Sequence, residues 1–403
     1  MIAVAPISHP YVGPDEPASG RSEPGALSVL QIGAEWFAEL GGGLNRYYGD
    51  LLDHLPRAGV RYRGLVVGSP AAVSDPAVRA FAPIAGSLPR RWLAERRALK
   101  EEMRSGQFDL IASHFAPYAA PLLARGWRGP PMVVHFHGPW ADESRREGGG
   151  RFRSAVKATL ERLVYSSADR LIVLSDAFAA VLRDSNGVPR DRIRIVPGGI
   201  DCDRFDVALS RPDARRQLGW PTDRPVILTV RRLVHRVGLE HLIDAVAALR
   251  ARVPEVLVLI GGTGPVRDEL AARIAALGLA EHVRLLGFLP DADLPTAYRA
   301  ADVTVVPSVA LEGFGLVAAE SLAAGTPALV TRVGGLPEVV AGLSDRLVVP
   351  PGSPSALAAA LGDLLLDGPG GWPSPDECRA HARAFDWPRV VRRVADIYAD
   401  VAR

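Results

Sequence analysis

The sequence uses one pattern twice, in which short apolar runs alternate with amphipathic stretches of helical length. The pattern begins at Leu27, stops over residues 198–221, where Pro, Asp and Arg dominate, and starts again at Val226. Runs of β-branched residues separated by helical lengths are typical of βαβ units, which place parallel strands in one sheet. The sequence therefore predicts an α/β fold with two doubly wound, Rossmann-like domains that face each other across a cleft.

This pattern also predicts the domain boundaries. They are a loose leader at 1–24, a first domain at 25–200, a linker at 201–220, a second domain at 221–385 and a closing helix at 386–403. Strands are predicted at 27–32, 62–67, 110–113, 132–136, 170–174, 193–196, 226–230, 256–260, 283–286, 303–306, 328–331 and 347–349. Helices are predicted at 45–55, 89–104, 151–166, 177–184, 239–251, 267–277, 316–324 and 355–366.

Charge and composition exclude several classes of protein. The 47 basic residues nearly balance the 45 acidic ones, so no global charge favours nucleic acid as a partner. Lys100 and Lys157 are the only lysines, and neither follows a G-x-x-x-x-G run, which excludes a P-loop. Cys202 and Cys378 form no framework and indicate reduced thiols. With no apolar run of membrane-spanning length, we expect a cytoplasmic protein.

The segment after the predicted strand at 303–306 carries the densest chemistry. Glycines in its loop let a ligand approach the backbone, and the first amides of the following helix suit a diphosphate. Two carboxylates eight positions apart suit hydrogen bonds to the hydroxyl groups of a sugar and a ribose. These residues are Glu312, Gly313, Phe314, Gly315, Leu316 and Glu320.

This segment resembles the E-x7-E signature of the retaining glycosyltransferases of family 4, which have the GT-B architecture. The resemblance extends from residue 27 to residue 403. It implies transfer of a sugar from a UDP- or GDP-linked donor to a hydroxyl group with retained configuration. In that family the first glutamate contacts the donor sugar and the second binds the ribose, roles that fall to Glu312 and Glu320. Front-face attack is implied. Since no D-x-D metal motif stands beside the proposed site, we expect neither a metal nor another cofactor.

Further loops resemble parts of the same family. Gly41-Gly42-Gly43 resembles the glycine loop that lies against the donor diphosphate. His137 resembles the histidine that lies near the transferred sugar. Ser175 falls in a strand-end serine motif, and Gly198 stands where the family usually has Asn. The donor-binding residues that the resemblance implies are Gly41, Gly42, Gly43, Arg236, Gly264, Leu289, Gly313, Phe314, Gly315, Leu316 and Glu320.

One departure from the family concerns the diphosphate. An Arg and a Lys five residues apart usually grip it; Arg232 takes the first position, but Val237 stands at the second. A bound cation stabilises the charge that develops on the leaving group, so the missing lysine affects the reaction directly. We expect Arg236 or Arg231 to compensate, and the alternative is a weakened activity. The predicted catalytic residues are His137, Arg232 and Glu312.

The segment after His137 is predicted to face the acceptor, which is a small molecule, a glycan or a lipid-linked sugar. Trp140, Asp142 and Glu143 suit a polyhydroxylated acceptor, against the alternative of an ordinary acidic loop. His135 and His137 share one face of a strand end, and Asp142 or Glu143 could complete a metal site. Since no zinc-type spacing accompanies them, no metal is expected.

Two other functions remain as alternatives, a catalytically weak or silent sugar-nucleotide-binding protein and a GT-B sugar-nucleotide epimerase. The first is motivated by Val237. Arginine-rich stretches at 90–97 and 145–157 suggest contact with the inner face of a membrane, but we favour solvated helix faces.

Overall fold

The computed structural model describes residues 26–123, 129–146, 148, 150–367 and 372–403. The leader predicted at 1–24 lies outside these residues. In the described part of the chain, one parallel sheet has seven strands and the other has six. The strands of the first sheet are β1 (Leu27–Glu35), β2 (Val60–Val67), β3 (Val78–Ala82), β4 (Leu110–Ser113), β5 (Met132–Phe136), β6 (Arg170–Val173) and β7 (Ile193–Ile195). Those of the second are β8 (Val226–Val230), β9 (Leu257–Gly261), β10 (Val283–Gly287), β11 (Val303–Val306), β12 (Ala328–Thr331) and β13 (Val348–Val349).

Helices cover both faces of each sheet. In the first domain they are α1 (Gly43–His54), α2 (Leu88–Ser105), α3 (Ala116–Ala119), α4 (Trp140–Arg146), α5 (Arg151–Ser167) and α6 (Asp176–Asn186). From the hinge onward they are α7 (Cys202–Phe205), α8 (Arg211–Leu218), α9 (Leu239–Leu249), α10 (Arg267–Ala276), α11 (Leu294–Ala300), α12 (Leu316–Ala323), α13 (Leu336–Val340), α14 (Pro354–Asp367), α15 (Pro375–Ala382) and α16 (Trp387–Val401). Among the described residues, no helix is both long enough and apolar enough to cross a bilayer.

The strand order places one switch point in each sheet. The first sheet is ordered β3-β2-β1-β4-β5-β6-β7 and the second β10-β9-β8-β11-β12-β13. In the first sheet, β2 and β3 are added on one side of β1, and β4 to β7 on the other. The second sheet changes side in the same way between β8 and β11. Ligands of doubly wound sheets bind beyond the carboxyl ends of the strands at such points. The two doubly wound domains predicted from the sequence are confirmed.

Several segments differ from the sequence prediction, which also lacks the helices α3, α11, α13 and α15. The edge strand β3 was not predicted, because the run Val78–Ala82 is short and contains an arginine. The stretch at Trp140 was predicted to be a loop but forms helix α4, because the carboxylate of the distant Glu161 accepts hydrogen bonds from the amides of Trp140 and Ala141. The predicted linker at 201–220 contains α7 and α8, and Cys202 and Phe205 are buried in the second domain's core.

The chain crosses between the domains at two adjacent points. The amide of Ile200 donates to Phe385, and the amide of Trp387 donates to Ile200. After the second crossing, α16 packs on the first domain, with Trp387 and Tyr398 fully buried beside Tyr47. Gly199 lets the Trp387 ring approach, since a Cβ there would lie 2.5 Å from the indole. The C-terminal helix is thus part of the first domain's core.

Candidate active site in the cleft

An ion pair joins the two strands at the switch point of the second sheet. Arg231 directly follows β8 and pairs with Glu312 in the loop after β11. The Ser308 hydroxyl donates to the same carboxylate at 2.8 Å. Burial raises the pKa of Glu312, but Arg231 and Ser308 outweigh it and hold this pKa below its ordinary value. The carboxylate is therefore ionised and almost fully enclosed at neutral pH.

The loop that carries Glu312 has an unusual backbone. Leu311 has a φ of 54°, a left-handed conformation that is uncommon for a non-glycine residue, and its carbonyl accepts from Arg236 Nη1 at 3.3 Å. Gly315 has a φ of 100° and directly precedes α12. The amides of Leu316 and Val317, in the first turn of α12, donate to no group in the described chain. The loop thus leaves the positive end of a helix dipole open at the cleft.

The predicted cations near this loop differ in their surroundings. Arg232 is exposed, and its guanidinium forms neither an ion pair nor a hydrogen bond with the described residues. Arg236 is half-buried beside the Glu312 loop, whereas Val237 is 1% exposed and lies in the hydrophobic core. Arg231 is the residue in direct contact with Glu312. The structure thus brings Arg231 and Arg236, but not the side chain of Val237, to the loop.

The second predicted carboxylate lies further along α12. Glu320 is 5% exposed and accepts a hydrogen bond from the Tyr298 hydroxyl at 2.9 Å. It lines a cavity of about 230 Å³ between the two domains, together with Leu316, Arg46 and Arg204. One carboxylate with one hydroxyl donor leaves further acceptor capacity, which a ribose could use.

The loops predicted to surround the donor lie around this cleft. Gly41, Gly42 and Gly43 are exposed, and a Cβ at any of them would meet open space. Gly264 is required for packing, because a Cβ there would lie 2.2 Å from the carbonyl oxygen of Leu233. Two residues beyond the half-buried Leu289, the carboxylate of Asp291 pairs with two arginines. These are Arg46 of the first domain and Arg204 of α7. An ion pair therefore links the residues after the glycine loop to the loop after β10, which carries Leu289.

Close contacts between the domains involve glycines of the Glu312 segment. A Cβ at Gly313 would lie 2.6 Å from the ring of Phe178 in α6, and one at Gly198 would lie 2.7 Å from the ring of Phe314. A side chain at position 198 would therefore clash with Phe314 in this arrangement. Glu338 of α13 accepts hydrogen bonds from the amides of Asp176 and Ala177 at 2.9 and 3.1 Å. The second domain thus supplies a cap to the N-terminus of a helix in the first.

Three histidines meet at the carboxyl edge of the first sheet. His135 and His137 come from β5 and the residues after it, as predicted, and His114 follows β4. His114 Nδ1 lies 3.3 Å from His137 Nε2, and the rings of His114 and His135 stack with centroids 4.1 Å apart. Burial lowers the pKa of all three, that of His137 to about 3, so they are neutral at physiological pH.

The ring orientations in this cluster favour hydrogen bonding over metal binding. A ligand nitrogen from each of the three histidines lies within 4.8 Å of the others. However, the three ring planes are within 24° of parallel. An imidazole lone pair lies in the ring plane, so the lone pairs of the stacked His114 and His135 rings do not converge on one ion. His114 Nδ1 and His137 Nε2 instead face each other in a hydrogen bond. The absence of a metal from the reaction remains a prediction.

Sequence reasoning missed His114, and it named Arg231 as a substitute for the missing lysine but not as the partner of Glu312. Each is placed by strand order: His114 follows β4, which adjoins β5, and Arg231 follows β8, which adjoins β11. A usable signal was that each directly follows a predicted strand. The neighbour relations of the strands, which bring the partners together over 21 to 81 positions, are not visible in local sequence.

The predicted acceptor segment is partly engaged within the first domain. Trp140 is half-buried, and the Lys157 ammonium lies 4.3 Å from the centre of its ring. Asp142 pairs with Arg145 one turn along α4 at 2.8 Å. Glu143 lies beside Gly138, at the end of β5 where His137 stands. The segment therefore borders the histidine cluster, while its role towards an acceptor stays a prediction.

Comparisons with known proteins agree with this architecture. Residues 41–204 match the model of Glycosyltransferase Family 4, and residues 210–385 match that of Glycosyl transferases group 1. The chain is 34% identical over 306 residues to D-inositol 3-phosphate glycosyltransferase from Corynebacterium jeikeium, covering 73% of each protein. It is 31% identical to an uncharacterized glycosyltransferase of Methanocaldococcus jannaschii, over 62% of this chain and 65% of that protein.

Solved structures resemble the whole arrangement. Sucrose-phosphate synthase from Thermosynechococcus elongatus has 25% identity and a TM-score of 0.78, over 93% of this chain and 98% of that one. The Anabaena protein HepE in complex with UDP has 22% identity and a TM-score of 0.76, over 93% and 100%. Taken with the paired sheets and the relatives described above, these likenesses show that the chain is a glycosyltransferase of family 4 with the GT-B fold.

Proposed function

We propose that this glycosyltransferase moves a sugar from a nucleoside diphosphate donor to a hydroxyl group in the interdomain cleft, with retained configuration. The observation that carries the proposal is the switch point of the second sheet. There an ionised Glu312–Arg231 pair stands next to the open N-terminus of α12. An anion site beside a fixed carboxylate suits a sugar attached to a diphosphate.

In this proposal, arginines replace the lysine that Val237 displaces. Arg236, Arg231 and the exposed Arg232 all lie on the segment after β8. As the bond between the anomeric carbon and the phosphate oxygen breaks, its electron pair goes to the diphosphate, and these cations and the α12 amides stabilise that charge. The acceptor oxygen attacks the anomeric carbon from the same face, and its proton passes to the leaving phosphate oxygen.

The remaining predicted residues position the donor. Glu312 is proposed to accept from a sugar hydroxyl, Glu320 to hold the ribose and His137 to line the reaction centre. With a pKa near 3, His137 is a poor base at neutral pH, which is consistent with proton transfer to the phosphate. Contacts such as Phe178 on Gly313 and the Glu338 cap close the cleft and exclude water from the reacting bond.

The donor test compares UDP-glucose, UDP-GlcNAc and GDP-mannose. D-inositol 3-phosphate heads the acceptor panel, because it appears in the name of the relative from Corynebacterium jeikeium. Release of free nucleotide that depends on an acceptor, with NMR couplings showing that the product keeps the donor's anomeric configuration, supports the proposal. Binding without release for every acceptor supports a silent protein, and acceptor-independent isomerisation of the donor supports an epimerase.

The acceptor side is tested by changing Asp142→Asn and Glu143→Gln and measuring KM separately for each substrate. A rise in acceptor KM with an unchanged donor KM assigns the segment to the acceptor. An unchanged acceptor KM would remove these residues from the proposed site. Because the Asp142 pair with Arg145 is exposed, the free energy of unfolding is expected to change by less than about 0.5 kcal/mol.

Contact with an anionic membrane surface is the alternative to the favoured solvated helix faces, and one helix supplies an observation in its support. Phe152, Val156 and Leu163 of α5 are 82%, 55% and 53% exposed, and Arg151, Arg153 and Arg162 lie on the same helix. Sedimentation with phosphatidylglycerol vesicles, compared with phosphatidylcholine vesicles, tests it. Equal amounts of bound protein for the two vesicle types would leave a solvated helix face as the explanation.

A further inference from the structure

A chain of hydrogen bonds connects His137 to the C-terminal helix. From His137 it runs to His114 at 3.3 Å, and from His114 Nε2 to the Gln31 side-chain oxygen at 3.0 Å. The Gln31 amide nitrogen donates to the Tyr398 hydroxyl at 3.3 Å, which lies 2.7 Å from His135 Nε2. The chain thus uses the ends of β4 and β5, the middle of β1 and one turn of α16.

The burial of these groups fixes their geometry. Gln31, His114 and Tyr398 are 0% exposed and His135 is 2% exposed, whereas His137 is only half-buried. The Tyr47 ring packs on His137 with centroids 4.9 Å apart, and the Tyr48 ring packs on His114 at 5.0 Å. A buried polar chain of this kind has no water to replace a lost partner, so its hydrogen bonds hold one arrangement.

The direction of each hydrogen bond follows from the chemistry of Gln31. An amide oxygen only accepts, so His114 Nε2 carries a proton and donates it to Gln31. His114 is neutral because burial lowers its pKa, and its Nδ1 is therefore bare. The bond between His114 Nδ1 and His137 Nε2 then requires the proton on His137 Nε2. In a neutral ring this leaves His137 Nδ1 bare as well.

The bare nitrogen is the one that a ligand can reach. His137 is the member of the cluster with an exposed part, and it stands at the carboxyl end of β5, where the cleft opens. In the described chain, Nδ1 of His137 has no hydrogen-bond partner. A bare imidazole nitrogen accepts hydrogen bonds from hydroxyl groups and cannot donate to them.

We propose that Gln31, His114 and Tyr398 are positioning residues that hold His137 as the Nε2–H tautomer and so present Nδ1 to the cleft as an acceptor for one hydroxyl of the donor sugar. This specificity role rests on the function proposed above, whereas the tautomer itself does not. Tyr398 acts on His137 indirectly, because its hydroxyl accepts a hydrogen bond from the Gln31 amide and so orients that amide.

The first measurement is made on the wild-type protein without substrate. Two-bond ¹H–¹⁵N correlation spectra of ¹⁵N-histidine protein, assigned by loss of signals in His137→Asn, report which ring nitrogen carries the proton. The expected result is a protonated Nε2 and a bare Nδ1 on His137. A protonated Nδ1 overturns the proposal, because it would mean that the Gln31 amide points the other way. This readout needs no activity, so it is independent of the proposed reaction.

The second measurement uses Gln31→Leu and Tyr398→Phe. Gln31→Leu is expected to give both His137 tautomers in the same spectra, and Tyr398→Phe a smaller admixture. The matched control is Tyr47→Phe, because the Tyr47 hydroxyl is buried without a partner among the described residues and its ring stays in place. This control is expected to keep the wild-type tautomer. A single Nε2–H tautomer in Gln31→Leu overturns the positioning role, and Tyr398→Phe still tests it if Gln31→Leu does not fold.

The third measurement identifies the hydroxyl. Donor analogues that each lack one sugar hydroxyl are compared in wild type and Gln31→Leu. For the intact donor, Gln31→Leu is expected to lower kcat/KM about three- to tenfold, the usual net effect of one hydrogen bond. For the analogue that lacks the partner of Nδ1, the two proteins should be equal. An equal loss with every analogue would overturn the specificity role, and inactivity of the wild type with all donors would instead contradict the proposed function.

Discussion

The carboxyl edges of the two sheets occupy equivalent places in the fold but carry opposite chemistry. At the edge of the first sheet, His114 and His135 are buried and uncharged, and His114 contacts the buried Gln31 in the middle of β1. At the edge of the second, the half-buried Arg231 pairs with the buried, ionised Glu312, beside the open end of α12. The same strand order thus supports a neutral hydrogen-bonding surface in one domain and a charged surface in the other.

The difference indicates a division of labour between the domains. A diphosphate needs fixed positive charge and free amides, which the second edge provides. A sugar hydroxyl can be bound by an oriented, neutral partner, which avoids the cost of burying an ion without a counter-ion. In the function proposed above, the strand order sets where each domain meets the substrate, and the side chains after the strands select the part of the substrate that it meets.

The largest effect is expected when the charged edge is broken. Arg231→Leu leaves the Glu312 carboxylate buried without its cation, which should lower the free energy of unfolding by about 3–5 kcal/mol. The kcat should fall about 10²- to 10³-fold, as for other losses of leaving-group stabilisation. Urea unfolding and steady-state kinetics measure the two effects.

The matched control for this change is Arg232→Leu, at the exposed neighbour. Activity should fall there too if Arg232 grips the diphosphate, but the free energy of unfolding should stay within about 0.5 kcal/mol of wild type. Equal stability of the two variants would contradict the structural role assigned to the Arg231–Glu312 pair.

Acid should destabilise the first edge before the second. Burial lowers the pKa of His114 and His135, so these residues take up protons below about pH 6.5 only when the chain unfolds. Stability from the neutral histidines is therefore lost as pH falls below about 6.5, at about 1.4 kcal/mol per pH unit for each proton taken up. The pKa of Glu312 is lowered in the folded state, so its contribution is lost only below about pH 4.5.

Hydrogen exchange in β4 and β5, compared with β8 and β11, measures this difference between pH 7.5 and 5. Asp50 works in the opposite direction near pH 6, because burial raises its pKa to about 6. The opening free energy from hydrogen exchange is therefore measured against pH in wild type and in His114→Gln. The difference between the two slopes isolates the histidine contribution. Identical slopes in the two proteins would contradict the prediction.

Val237→Lys places the lysine of the family at its expected position and tests whether the charged edge accepts a further charge. Val237 is 1% exposed among Leu233, Val234 and Leu239, so the ammonium would be buried without a counter-ion. We expect a loss of about 3 kcal/mol in unfolding free energy and no gain in kcat. Val237→Met, which keeps an apolar side chain, is the control. A large gain in turnover at wild-type stability would show instead that the natural site lacks charge.

The smallest of these effects concerns the contact that brings the two edges together. Gly313→Ala puts a Cβ 2.6 Å from the Phe178 ring, so the domains should close less fully. We expect about a tenfold loss in kcat with nucleotide affinity retained, and partial recovery in the double variant with Phe178→Leu. Gly49→Ala, where a Cβ meets open space, is the control. A wild-type kcat in Gly313→Ala would mean that the Phe178 contact is dispensable.

Sequence reasoning succeeded where burial alone decides the structure. The strands β8 and β11 were predicted at their observed bounds, because runs such as Val226–Val230 are apolar on both faces. It failed at Val78–Ala82, an edge strand with an exposed arginine, and at α4, whose start depends on Glu161 about twenty positions away. The candidate site divides in the same way. Glu312 lies in a recognisable loop, whereas its partner Arg231 is known only once β8 and β11 are placed side by side.

The placement of α16 has a consequence for how the protein is made. Tyr398 and Trp387 complete the packing around Tyr47 and the histidines, yet the ribosome adds them after the whole second domain. A nascent chain that has finished every strand of the first sheet still has an open hydrophobic face where α16 will pack. The active edge of the first domain is therefore assembled last, so chains that stop before this helix should need chaperones and show no transferase activity.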